Sequence, residues 1–188
     1  MEFEVSENEF LNVYQPLLWD RTKYLALWGG RGSGKSQFAA QKLLLRCLND
    51  DFFRCILLRK IYASIEESQF KTLKDIAQDW GIADYFIWNT SPIKIICKLN
   101  GNYFQAKGLD KPDKTKSVKD PTAIWFEEAS ELTHEDFIAS TTSVRTPKAK
   151  YIQHILTFNP ECKGDYKEFW LYKQQQQENK NWKFVHTT

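Results

Sequence analysis

Short apolar runs rich in β-branched and aromatic residues recur along the chain. They are YLALW at 24–28, CILLR at 55–59, IKIICKL at 93–99, NYFQAKG at 102–108, TAIWF at 122–126, YIQHILTF at 151–158 and WKFVH at 182–186. Runs of this length and composition predict strands. Between them, segments 34–49, 64–80, 133–144 and 164–178 carry apolar residues at helical spacing and predict helices. Asn100-Gly101, between two alternating runs, predicts a two-residue hairpin at an edge of the sheet. Strands alternating with helices imply βαβ units: an α/β fold with a mainly parallel, twisted sheet and helices on both faces. No internal repeat is visible. The one low-complexity segment, QQQQENKN at 174–181, reads as a solvated helix end and loop.

Composition adds bounds to this picture. A chain of 188 residues suits one domain, taken here as 1–188. With 42% apolar and 27% charged residues, it has the balance of a soluble globular protein. A net charge of +2 neither identifies nucleic acid as a partner nor excludes it, since a local basic face suffices. Cys47, Cys55, Cys97 and Cys162 are scattered, without a C-x-x-C pair, and read as reduced thiols of a cytosolic protein. His134, His154 and His186 lack metal-ligand spacing. No apolar stretch approaches the ~20 residues of a membrane span, and the acidic start MEFEVSENEF is unlike a signal peptide. The expectation is an intracellular protein with no membrane partner.

Four of the eight glycines fall within WGGRGSGKSQF at 28–38. Glycine is costly to order, so such a cluster needs a reason. Gly29, Gly34, Lys35 and Ser36 match G-x-x-x-x-G-K-[ST], entered from an apolar strand and left by a helix, as a phosphate-binding loop requires. The backbone of Gly29, Gly30, Arg31, Gly32, Ser33 and Gly34 would turn its N–H groups toward phosphate, at the positive end of a helix. Lys35 would reach the β and γ phosphates, and Ser36 would offer a hydroxyl to Mg²⁺. Arg31 can swing toward the γ-phosphate as an arginine finger, or can simply be a loop charge.

Two further signals lie downstream. TAIWFEEAS ends an apolar strand in two acids. Glu127 would hold the Mg²⁺ shell, although it is one methylene longer than the Asp of many such sites. Glu128 would orient and polarise the attacking water. LTFNP at 156–160 ends another apolar strand, where ligands bind in parallel sheets, and Asn159 could sense the γ-phosphate or simply form an Asn-Pro turn.

With three motifs in this order, the chain resembles the large terminase subunit of tailed bacteriophages, the motor that packages DNA. LLRK (57–60), SQF (68–70), NGNYFQAKGLD (100–110) and STTSVRTP (140–147) extend the resemblance over most of the chain. It implies a RecA-like P-loop ATPase that uses ATP and Mg²⁺. It also implies a Walker A motif at Gly29–Ser36, the Walker B acid at Glu127, the catalytic carboxylate at Glu128 and a coupling motif at Thr157–Asn159. Implied partners are double-stranded DNA, a portal or procapsid, a small terminase subunit and copies of the chain in a ring, in the cytoplasm of an infected bacterium. The family continues past the equivalent of VHTT (185–188) into a lid and a two-metal nuclease, so either an isolated ATPase fragment or a truncated gene product, without DNA cleavage, is expected.

Tyr14 and Gln15 precede the loop at about the distance where helicase-like ATPases place a base-reading Gln. Gln15 could pair with adenine while Tyr14 stacks on it; alternatively, Phe10, Leu11, Tyr14, Leu17 and Leu18 pack a helix on the core. In a ring, a basic residue of one subunit would complete its neighbour's site. Candidates come from AKGLDKPDKTKSVKD (106–120), with Lys107, Lys111, Lys114, Lys116 and Lys119, and from Arg145. The rival functions are a small P-loop kinase, for which no Arg-rich lid is evident, a helicase-like ATPase, and a nucleotide-binding module without hydrolysis, against which Glu128 argues.

Overall fold

The computed structural model describes residues 5–110, 118–160 and 165–188. Eight strands form one sheet: β1 (Tyr24–Gly29), β2 (Arg54–Arg59), β3 (Phe86–Thr90), β4 (Ile93–Cys97), β5 (Tyr103–Gly108), β6 (Ala123–Glu127), β7 (Gln153–Phe158) and β8 (Trp182–Thr187). Their order across the sheet is β3-β4-β5-β2-β6-β7-β1-β8. Pairings from β5 through to β8 are parallel, and β4 runs against both β3 and β5. The helices are α1 (Lys35–Asn49), α2 (Lys71–Asp79), α3 (His134–Thr142) and α4 (Trp170–Gln175). Among the described residues, no helix is long and apolar enough to cross a membrane.

Burial follows from this order. β6 and β7 are buried at every residue, as strands covered on both faces must be. One apolar cluster joins Leu25, Leu27, Leu57 and Trp125 of the sheet to Phe38 and Leu43 of α1 and Leu73 and Ile76 of α2. On the other face, Ala26, Leu58, Phe126 and Leu156 pack with Phe137 of α3 and Leu171 of α4. This second cluster draws no described residue from β3, β4 or β5. β4 and β5 accordingly alternate buried and half-buried positions, with one face covered and the other open. Helices therefore cover both faces over the central strands and one face over the outer three.

Four boundaries differ from the sequence reading. The segment Phe86–Thr90 is a strand that the pattern did not mark, so the hairpin lies one strand in from the edge. Its connection is also longer than two residues: Cys97 N–H donates to Asn102 O, and Gly101 N–H returns to Cys97 O. The helix predicted over 64–80 begins as a π-turn, Glu66–Phe70, before α2. In the region 164–178, α4 is preceded by a 3₁₀ turn, Tyr166–Glu168.

Candidate nucleotide-binding site

β1 delivers the chain to the glycine-rich loop and α1 carries it away, so the loop sits at the C-terminal edge of the parallel strands. Gly29 is required by contact: a Cβ there would lie 1.8 Å from the Thr187 carbonyl oxygen of β8. Gly34 is required by conformation, since it caps α1 in the left-handed region at φ +76°. Ser33 Oγ donates to Gly30 O at 3.0 Å and accepts from Thr187 Oγ1 at 2.9 Å, bracing the loop against β8.

Lys35 is buried, and its ammonium lies at 3.1 Å from Gly29 O, 2.6 Å from Gly30 O and 3.1 Å from Ser33 Oγ. Burial lowers its pKa, against the opposing pull of Glu128 and Glu127. In the first turn of α1, Ser36 Oγ donates to Glu127 Oε1 at 2.7 Å, joining the loop to the end of β6. The other oxygen, Glu127 Oε2, accepts from Thr157 Oγ1 of β7, and that hydroxyl accepts from the Trp125 indole N–H at 3.0 Å. The strand register sets Glu127 directly beside Thr157. Burial pushes the Glu127 carboxyl above its usual range, and the Thr157 and Ser36 hydroxyls counter this by donating to it. Glu128 adopts a left-handed conformation, φ 51° and ψ 51°, uncommon outside glycine, which turns the chain at the end of β6.

Arg31, Gly32, Lys35, Ser36, Glu127, Glu128 and Asn159 share one cleft of about 190 Å³ with Thr157 and Phe158. The structure thus brings the two acids, the lysine, the serine, the loop arginine and the Asn of the third motif together. A serine hydroxyl beside a carboxylate is the all-oxygen donor set a hard cation such as Mg²⁺ takes. Thr157 enters as a direct partner of Glu127, a role the strand-end motif did not specify. Gln69 was also unmarked for function: it is fully buried on the π-turn and donates to Trp125 O at 2.8 Å, clamping β6.

One expectation is corrected. Tyr14 is 1% exposed and stacks on Phe38 at 4.6 Å, while its hydroxyl donates to Ser33 O at 2.9 Å. It props the loop from behind and has no free face for a base. Gln15 lies outside the cleft lining, and its amide nitrogen donates to Glu7 O, Phe10 O and Asn12 Oδ1 at 3.2–3.4 Å. The flanking segment makes short 3₁₀ turns at Glu7–Glu9 and Gln15–Leu17, and Lys42 of α1 ties it down by donating to the carbonyls of Leu17, Leu18 and Asp20. Of the proposed cross-subunit cations, Lys119 and Arg145 are exposed, while Lys111, Lys114 and Lys116 lie outside the described residues, as does Cys162.

Residues 21–188 match the family model described as phage terminase large subunit. The chain belongs to that family. It is 29% identical over 167 residues to the PBSX phage terminase large subunit of Bacillus subtilis (strain 168), covering 89% of this chain and 37% of that one. The fold is similar to the large terminase of a thermophilic bacteriophage, with TM-score 0.74 and 14% identity over 100% of this chain and 46% of that one. That thermophilic phage terminase has also been solved in complex with ATP-gamma-S. The Thermus phage P74-26 large terminase ATPase domain matches with TM-score 0.67 and 14% identity, over 94% of this chain and 80% of that domain. The chain therefore spans under half the length of the PBSX terminase and of the thermophilic phage enzyme. Its fold is the RecA-like one of terminase ATPase domains.

Proposed function

We propose that this chain hydrolyses ATP with Mg²⁺ and is the ATPase part of a motor that moves double-stranded viral DNA into a procapsid. The observation that carries the reading is the convergence on Glu127, whose two oxygens accept from Ser36 of the loop helix and Thr157 of β7. Glu128 lines the same cleft. Phosphate would take the place of the loop oxygens around the Lys35 ammonium, giving that charge a stronger partner. Ser36 and Glu127 would hold Mg²⁺, which when bound neutralises charge on the phosphates. Glu128 would orient a water and accept its proton. Arg31, exposed at the rim, would close on the terminal phosphate, and Asn159 would sense it.

The ATPase-domain neighbour and the ATP-gamma-S complex of the thermophilic phage terminase support nucleotide as the ligand. Membership of the terminase family supports packaging partners for this reading: the chain would work with DNA, a portal or procapsid, a small subunit and copies of itself in a ring, within the infected cell's cytoplasm. The small-kinase reading separates by its need for an acceptor. Phosphate release from ATP without added acceptor is expected in the wild-type chain, and Glu128→Gln should still bind ATP while hydrolysis falls by about 10²-fold or more. Equal loss of binding and hydrolysis would assign Glu128 a structural role instead.

A further inference from the structure

The open face of the outer strands carries a set of residues that the nucleotide site does not use. The strand registers arrange them as a grid: Ile87, Ile96, Tyr103 and Arg54 lie side by side across β3, β4, β5 and β2. In the next row, Asn89 and Lys94 lie beside Gln105, and Lys107 follows on β5. Toward the β2 side of this grid, cations flank the rings. Lys94 Nζ sits 4.2 Å from the Tyr103 ring centre, and the Arg54 guanidinium lies 5.3 Å from the same ring. Arg54 also lies 4.6 Å from the Phe52 ring, and Lys148 Nζ sits 5.3 Å from it.

The charge of this face is positive. Asp120 and Asp51 border it, but they are engaged by Lys148 at 2.8 Å and Lys150 at 3.2 Å. None of the ion pairs among the described residues involves Arg54, Lys94 or Lys107. The aromatic rings hold the cationic groups over them, and Arg54 is further fixed by a 2.5 Å bond to Lys119 O.

We propose that this face, centred on Arg54, Lys94 and Lys107, is a docking surface for the phosphate backbone of duplex DNA. The occupied rings decide the kind of nucleic acid. A surface for splayed single strands needs bare aromatic faces on which bases stack, whereas Tyr103 and Phe52 are already flanked by cations. What the face offers is positive charge held by ring contacts and strand register, which suits phosphates and carries no sequence preference. The inference rests on the packaging reading only for the choice of DNA as polyanion.

The test is binding of a mixed-sequence duplex by fluorescence anisotropy over a range of salt, with no nucleotide present. Lys94→Gln and Lys107→Gln, neither of which removes a described hydrogen bond, should each flatten the slope of log K against log salt by about 0.9. Combined with Arg54→Gln they should weaken binding tenfold or more at low salt, while Arg54→Lys keeps most of it. Lys71→Gln/Lys74→Gln on α2, outside this face, should change nothing. Unaltered affinity and slope in the triple variant, with its melting temperature retained, would overturn the proposal. So would loss of self-association with DNA binding intact, which would make the face a contact between copies. Basal ATP turnover measured in the same variants keeps the two readings apart. A wild-type chain that binds duplex through this face without hydrolysing ATP would sink the ATPase reading alone.

Discussion

Thr157 shows how much one side chain of the site carries. Its hydroxyl donates to Glu127 and accepts from the Trp125 indole, all inside the protein. Thr157→Val keeps the shape and strands two buried polar groups, at about 1–3 kcal/mol each. Denaturant midpoints and ATP turnover should both fall, and Thr157→Ser should restore both. His154 is the opposite case, a buried polar group the site can do without. It is fully buried against the Tyr24 and Phe126 rings, and neither ring nitrogen has a hydrogen-bond partner among the described residues. Burial pulls its pKa down to about 3, so the folded protein keeps it neutral where the unfolded chain binds a proton. The unfolded state therefore gains on acidification, and this contribution to stability drains away as pH falls from about 6.5 toward about 3. His154→Leu should leave the protein as stable at pH 7 or more so, by up to about 2 kcal/mol, because it removes unpaired buried polar atoms. Its unfolding free energy should also decline less between pH 6.5 and 4, measured by denaturant titration.

At the scale of the element, the glycine-rich loop separates glycines that are irreplaceable from one that is not. Gly29→Ala would drive a methyl into the Thr187 carbonyl, so β8 would have to shift away from β1. Gly34→Ala would force alanine into φ +76° with its Cβ 2.7 Å from Leu11 Cδ1, a flexible and half-exposed side chain. The cost is about 1–2 kcal/mol, mainly of backbone strain. Gly30 has an ordinary φ and open space around it. Chemical denaturation should rank the losses Gly29→Ala, then Gly34→Ala, then Gly30→Ala near zero; a large loss at Gly30 would refute this account of the loop. The sequence could mark the loop as a whole, because a spacing of residue types defines it. It could not rank the glycines, because the Gly29 constraint comes from a strand more than 150 residues later. The same reason hid β3: FIWNT is short and half polar, and it is a strand only because β4 is there to pair with it.

For the whole molecule, the cleft is open and its one described arginine, Arg31, is exposed at the rim. A packaging ring would supply a second cation from a neighbouring copy, and such a group is worth ~10³-fold or more in rate. Turnover per chain should therefore rise with protein concentration as rings assemble, and stay far below ~10 s⁻¹ in the monomer. Arg145→Ala subunits mixed with Glu128→Gln subunits should lose that rise if Arg145 acts across the interface. A flat rate with assembly confirmed by light scattering would remove the cross-subunit residue from the mechanism.

The sequence alone determined what depends on neighbours along the chain. The G-x-x-x-x-G-K-[ST] loop after a strand, the acid pair ending TAIWF and the alternation of strands with helices are local patterns, and they were enough for an α/β nucleotide-binding fold and most of its cleft. Only the tertiary structure decided what depends on distant packing. Thr157 meets Glu127 because β6 and β7 pair in one register. Tyr14 is taken from adenine because Phe38 and Ser33 claim its ring and hydroxyl. Arg54, Lys94 and Lys107 share an open face because β4 turns back along β5 beyond the reach of α3 and α4. Contacts between residues tens of positions apart leave no spacing in the sequence, since each is fixed by the folded shape of everything between them.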